Sequence, residues 1–197
     1  MNIEKTLENL RERHIEAAYY ATAREALDGL CAELHGKKIA FGGSVTLQEM
    51  GAFDALCGDN AVYWHWVERS ADQRKIECEA QVYLTSANAL AETGEIINID
   101  GTGNRVANAM YGFETVYYVI GVNKLAPDLH AAVERARQVA APLNAKRLGR
   151  ATPCAIDGKC HDCRSDDRIC NVLSITMGKP GGVQRCKVLL VGEPLGY

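Results

Sequence analysis

Short apolar runs alternate along the chain with helix-like segments, and several of these runs end in polar, glycine-containing turns. Residues 38–41, 95–99 and 115–120 are the clearest strand candidates, and a polar turn follows each of them. Parallel strands joined by helical crossovers produce this alternation, so we predict an α/β protein with an open, mostly parallel sheet flanked by helices. The polar turns would then lie at the carboxyl edge of the sheet, where open α/β sheets bind ligands.

The other segments complete this single-domain pattern over residues 1–197. Residues 1–35 are predicted to be a helical segment, with a break near Thr22 as an open alternative. Residues 85–94 are predicted to form a short capped helix, and residues 127–141 a longer one, followed by a basic, solvated linker over 142–152. Residues 62–66 fit a strand or a loop. Two further strands are expected over 172–177 and 186–191.

Charge and hydropathy exclude several classes of partner. The formal net charge is −3, which gives no electrostatic footprint for nucleic acid. No apolar run approaches the ~20 residues that a membrane-spanning helix needs, and the first residues lack the apolar core of a signal peptide. We therefore expect a cytoplasmic protein with reduced thiols and no membrane span. No nicotinamide or flavin motif is present.

The turn after residues 38–41 contains Gly43, Ser44 and Thr46 at the start of a predicted helix. Backbone N–H groups in such a turn bind anions, although a plain tight turn with Ser44 or Thr46 as N-cap fits equally well. Glu49 lies one helical turn further on and is the candidate general base, or alternatively a carboxylate on the helix face.

Further polar residues follow the other strands, namely Asn88, Asp100, Asn104, Arg105 and Lys124. An arginine can grip a carboxylate or a phosphate through two parallel hydrogen bonds. The alternative is a loop in which Asn104 caps the next helix and Arg105 is solvated. We predict that these residues join the glycine turn in one pocket for a small anionic metabolite.

Four of the eight cysteines lie in one loop over residues 152–171, as Cys154, Cys160, Cys163 and Cys170. The Cys160–Cys163 step lets one turn present two thiolates to one ion, and the Asp157–Gly158 turn folds Cys154 back toward them. Zinc and iron–sulfur clusters both take cysteine ligands, and the spacing does not distinguish them. The alternatives are disulfides or free thiols. We predict a four-cysteine metal site.

Six blocks occur in an order that closely resembles the LUD-domain family, the lactate-utilisation proteins. They cover residues 42–51, 84–89, 98–105, 121–124, 140–147 and 154–170. The resemblance implies a fold like that of the glucosamine-phosphate isomerase, ribose-phosphate isomerase and coenzyme A transferase group. It also implies a link to oxidation of L-lactate, or a related 2-hydroxy acid, to pyruvate. In that system LUD proteins work with iron–sulfur and oxidoreductase partners.

Three functions are therefore expected from the sequence. The first is a component of an L-lactate-oxidising system, with an anionic-ligand pocket and a metal centre. The second is an isomerase, transferase or ligase that binds a phosphorylated metabolite, nucleotide or coenzyme A ester, with zinc only stabilising the cysteine loop. The third is a non-catalytic subunit that docks a redox protein.

Overall fold

A computed structural model describes residues 1–197, and its main element is a six-stranded parallel sheet. The strands are Glu16–Tyr20 (β1), Lys38–Phe41 (β2), Ala61–Trp64 (β3), Val82–Thr85 (β4), Thr115–Gly121 (β7) and Arg185–Val191 (β10). Their spatial order is β1-β10-β7-β4-β2-β3, and every neighbouring pair is parallel. The predicted α/β class with an open parallel sheet is confirmed.

A second, smaller sheet was not expected from the sequence. It contains Ala89–Ala91 (β5), Ile96–Asp100 (β6), Leu125–Ala126 (β8) and Val172–Thr176 (β9), in the order β8-β5-β6-β9. The predicted helix over residues 85–94 is wrong, because β5 is buried along its whole length and pairs antiparallel with β6. Gly94, with φ +97°, makes the turn between these two strands.

The N-terminal segment is two helices separated by a strand, so the prediction of one helical segment over residues 1–35 is wrong. The helices are Ile3–Glu12 (α1) and Ala23–Glu33 (α2). His14 has φ +60° just after α1, and the chain then runs as β1 beside β10. The Thr22 hydroxyl accepts a hydrogen bond from the Glu25 N–H and starts α2.

A long helical run over residues 129–147 replaces the predicted helix and part of the predicted linker. It consists of Leu129–Arg135 (α7), a π-helical turn over Ala136–Ala140, and Ala141–Arg147 (α8). Pro142 has no N–H and normally ends a helix. Here it follows the wider π turn and occupies the first turn of α8, where its missing N–H is tolerated.

The remaining helices are short. They are Val45–Glu49 (α3), Ala52–Leu56 (α4), Gln73–Glu79 (α5), Asn104–Met110 (α6) and Pro153–Asp157 (α9), with a 3₁₀ turn at Val122–Lys124. None of the helices is both long enough and apolar enough to cross a bilayer.

Two apolar clusters pack on opposite faces of the main sheet and fix its position. Val116, Tyr118 and Ile120 of β7 face one cluster, and Tyr117 and Val119 face the other. All seven residues of β7 are buried, as its continuous apolar run predicted. The carboxyl ends of the central strands are therefore held rigidly, and the polar segments that follow them converge.

Candidate functional site

A polar cavity of about 390 Å³ opens at the carboxyl ends of β2, β3, β4 and β7. The segments that leave these strands supply much of its lining, as expected for a ligand site in an open α/β sheet. All of the sequence-predicted ligand-binding residues line this one cavity. They are Gly43, Ser44, Thr46, Asn88, Asp100, Asn104, Arg105 and Lys124.

Lys124 is the most unusual of these residues, because its side chain is buried without a carboxylate partner. The residue is 3% exposed, and its Nζ donates to Thr46 Oγ1 at 2.7 Å and to Ser86 Oγ at 2.9 Å. Burial is the largest cause that lowers the pKa of the ammonium, repulsion from Arg135 and Arg105 adds to it, and Glu49 opposes it weakly, which together bring the pKa to about 7. The lysine therefore exchanges between its charged and neutral forms near neutral pH.

The glycine turn at residues 42–46 has mainly a structural role, in addition to lining the cavity. Ser44 is the N-cap of α3, and its hydroxyl accepts from the Leu47 N–H at 3.2 Å. Because α3 has only five residues, its dipole is small. A Cβ on Gly43 would lie 3.0 Å from the Trp66 ring, so glycine permits Trp66 to pack there. The positive potential of the cavity must come mainly from side chains.

Asp100 and Arg105 also hold the walls of the cavity in place. The Asp100 carboxylate accepts hydrogen bonds from four backbone N–H groups at the start of α6, at 2.9–3.2 Å. The Arg105 guanidinium donates to the carbonyl of Ile99 at 2.6 Å and to the side chains of Asn98 and Asn88. Asn104 lines the cavity with no side-chain partner inside the protein, so its amide is free for a ligand.

Two further arginines near the cavity lack a carboxylate partner. Arg135 donates to the backbone carbonyls of Asn123 and Asn88, and burial lowers its pKa. Arg147 donates to Tyr197 Oη and Asn144 Oδ1, and its guanidinium lies 4.8 Å from the centre of the Trp66 ring. The lining holds four arginines and one lysine against three aspartates. A net positive cavity in a chain of negative net charge favours an anionic ligand.

Glu49, the candidate general base, lies outside the lining of the cavity. It is exposed, and its Oε2 accepts from the Gly196 N–H at 2.6 Å. The same C-terminal segment receives a hydrogen bond from Thr46 Oγ1 at the carbonyl of Leu195, at 3.2 Å. Glu49 thus anchors residues 195–197 against the cavity, and its role as a base stays a prediction.

Several lining residues were not identified as site residues from the sequence. They are His65, Trp66, Ser86, Arg147, Arg150, Arg168 and Tyr197. Ser86 follows β4, so the rule that singled out the other strand ends could have found it. His65 and Trp66 directly follow β3. The structure places Trp64 in the core and Trp66 against the cavity, and burial lowers the pKa of His65.

The four clustered cysteines border a second, much smaller cavity of about 20 Å³. Cys154, Cys160, Cys163 and Cys170 are half-buried free thiols, and none forms a disulfide. As they stand, no three His, Cys, Asp or Glu side chains are arranged to hold a metal ion. The chemistry of the set still fits, because four cysteine sulfurs around one space are the ligands that zinc and iron–sulfur clusters take.

Arg168 lies between the two cavities and contacts both. It lines the large cavity and the cysteine cavity together with Ile169. Its guanidinium donates to the carbonyl of Cys163 at 2.6 Å and to that of Cys170 at 3.1 Å, while its buried Nε has no partner. The cysteine loop and the large cavity therefore share a wall.

Comparison with known proteins assigns the chain to a family. The profile of the LUD domain matches residues 3–191. The fold is similar to the crystal structure of a DUF162 family protein from Deinococcus radiodurans, with a TM-score of 0.60 and 14% sequence identity. That similarity covers 96% of each chain. No curated protein matches this sequence. Because the profile spans nearly the whole chain, the protein belongs to the LUD-domain family.

Proposed function

We propose that this LUD-domain protein binds a small 2-hydroxy or 2-oxo acid anion, such as L-lactate or pyruvate, as a component of an L-lactate-oxidising system. The observation that carries this proposal is that two cations in the cavity lining, Lys124 and Arg147, have no carboxylate partner, while Arg135 donates to the backbone of the lining residue Asn88. Family membership supplies the metabolic context.

A carboxylate in the cavity would relieve the electrostatic repulsion between two neighbouring cations. Lys124 and Arg135 repel one another inside a buried region, and that repulsion lowers the pKa of Lys124. A bound anion near Lys124 would favour the charged ammonium and add charge-assisted hydrogen bonds. The free amide of Asn104 could bind the C2 oxygen of the acid.

The size of the cavity favours a second candidate, an enzyme that acts on a phosphorylated metabolite, nucleotide or coenzyme A ester. A volume of about 390 Å³ exceeds what a three-carbon acid needs and falls within the usual range for larger ligands. The same cations would bind a phosphate as well as a carboxylate. In this alternative the cysteine loop would have only a structural role.

Calorimetric titration distinguishes these functions. L-Lactate and pyruvate are compared with lactamide, which keeps the shape and lacks the charge, and with glucosamine 6-phosphate, AMP and coenzyme A. We expect both acids to bind and lactamide to fail, and Lys124→Met to weaken acid binding at least about tenfold, the equivalent of one lost charge-assisted bond. Lys38→Met, at an exposed lysine on β2, is the matched control. Binding of phosphorylated ligands alone would support the alternative, and equal binding of lactamide would contradict an anion site.

We also propose that Cys154, Cys160, Cys163 and Cys170 hold a metal centre. The shared cavity, the absence of disulfides and the cysteine-only donor set support this proposal. An iron–sulfur cluster would supply one-electron transfer beside the ligand cavity, and zinc would supply rigidity. Arg168 would hold the backbone of the ligand loop through the carbonyls of Cys163 and Cys170.

Metal analysis of protein purified without oxygen tests the centre. We expect iron or zinc near one equivalent of centre per chain, with visible absorption if iron–sulfur is present. Cys163→Ser should lose most of the metal, whereas Cys57→Ser should retain it, because Cys57 is exposed and distant in sequence from the cluster. Protein that contains neither metal, or equal metal in both variants, would contradict the proposal.

A further inference from the structure

The surroundings of Lys124 are those of a nucleophilic lysine. Binding of an anion alone would not require them. Lys124 is buried and lines the large cavity together with Thr46 and Ser86, and its Nζ contacts only the hydroxyls of these two residues among nearby side chains. Those two hydroxyls also contact each other, with an Oγ–Oγ1 distance of 3.3 Å. The three groups form one connected set that can pass a proton between amine and hydroxyl oxygen.

A lysine held only to bind charge is expected to keep its full positive charge. Here burial and two neighbouring guanidinium groups lower the pKa of Lys124 to about 7, so that a large share of the molecules carries a neutral amine at neutral pH. An ordinary lysine is neutral in fewer than about one in a thousand molecules at that pH. Desolvation beside other cations is a known way to activate a lysine toward carbonyl compounds.

We infer that the Lys124 amine reacts with the C2 carbonyl of a 2-oxo acid held in this cavity, forming an imine and releasing water; this rests on the proposed function. The inference assigns Lys124 a catalytic role and selects the oxo form of the acid as the one held covalently. L-Lactate has no carbonyl at C2, and the cavity would bind it without a covalent bond.

The step balances without an oxidant or reductant. The nitrogen lone pair attacks C2, a C–N bond forms, and the carbonyl electron pair moves to oxygen, which takes a proton from the nitrogen through the Ser86 and Thr46 hydroxyls. The resulting carbinolamine loses its hydroxyl together with the second nitrogen proton as water, leaving a C2–N double bond. Protonation of the imine then makes C2 an electron sink for chemistry at the neighbouring carbon.

Reductive trapping tests this inference on the intact protein. Pyruvate and sodium cyanoborohydride are added near neutral pH, and the lysines are mapped by tandem mass spectrometry after digestion. The hydride adds to C2 and converts the imine into a stable secondary amine. We expect modification of Lys124 to exceed that of Lys38 at least about tenfold, given the difference in neutral amine. Excess L-lactate should protect Lys124 by competition.

The outcomes separate the inference from the proposed function. If pyruvate binds by calorimetry and Lys124 is not trapped, the imine is refuted and the anion site stands. If trapping is spread evenly over surface lysines, the imine is likewise refuted. If neither acid binds, both fail. The Lys124→Arg variant, which retains the positive charge, should still bind pyruvate and show no trapping at position 124. The lysines are mapped in the protein without any substitution, so the test does not depend on whether this variant folds.

Discussion

Replacement of Lys124 by methionine should change the pH dependence of stability in a way that few other substitutions can. The residue is 3% exposed and its pKa is lowered from 10.5 to about 7. Between these values the unfolded chain binds a proton at Lys124 that the folded protein does not. The contribution of Lys124 to the free energy of unfolding therefore rises with pH through this window.

The size of the effect follows from the same values. A pKa lowered from 10.5 to about 7 corresponds to a penalty of about 5 kcal/mol in the folded protein at and below neutral pH, lost as the pH approaches 10.5. Methionine removes this penalty and forfeits two hydrogen bonds, to Thr46 and Ser86, worth about 1 kcal/mol each. We expect Lys124→Met to be more stable than the unsubstituted protein by about 3 kcal/mol near pH 7.

Urea unfolding followed by tryptophan fluorescence measures this difference. The difference in free energy of unfolding between Lys124→Met and the unsubstituted protein should be constant below about pH 6. It should decline by about 1.4 kcal/mol per pH unit between about pH 8 and pH 10. Lys38→Met, at an exposed lysine, should show a difference that does not depend on pH. A flat difference for Lys124→Met over that range would refute the assignment of a buried, readily deprotonated amine.

Three further substitutions test how the cavity walls are held, each by urea unfolding. Arg105→Gln removes the half-buried guanidinium that donates to the Ile99 carbonyl and leaves acceptors unpaired, so we expect the free energy of unfolding to fall by about 3 kcal/mol. The control Arg24→Gln, at an exposed helix position, should change the free energy of unfolding little. Asp128→Ala removes the N-cap contact to the Ala131 N–H and should cost about 1 kcal/mol; an unchanged midpoint would exclude that cap. Gly42→Ala places a Cβ 2.6 Å from the hydroxyl of the buried Tyr83 and should lower the free energy of unfolding by about 1–3 kcal/mol. A Cβ at Gly58 would contact no neighbouring atom, so Gly58→Ala should leave the free energy of unfolding nearly unchanged.

The grouping of polar residues around the large cavity was partly predictable because several of them follow a local rule. A polar turn after an apolar strand lies at the carboxyl edge of a parallel sheet, and Ser44 after β2 and Lys124 after β7 obey this rule. Asn104 follows β6, whose pairings in the second sheet are antiparallel, so the rule does not explain its place in the cavity. The burial of Lys124 could not be predicted in the same way, since it depends on Thr46 and Ser86, which are distant along the chain.

The wrong secondary-structure predictions concern segments whose local sequence pattern fits more than one type of element. Residues 16–20 lie between two helices and contain alanine and tyrosine, which do not separate strand from helix until β10 supplies a partner. Pro142 indicated a helix end, yet the π turn before it continues the helix to Arg147 and brings that guanidinium to the cavity. Nothing in the sequence of residues 195–197 indicates that Tyr197 lines the same site.

A crystal structure of the protein with saturating pyruvate would test the central claim most directly. We expect the acid in the large cavity, with its C2 atom joined to or in contact with Lys124 Nζ and its carboxylate facing the cations of the lining. The contrary result is a well-ordered cavity without pyruvate at saturation, in which Lys124 keeps its contacts to Thr46 and Ser86 and the acid binds elsewhere or not at all.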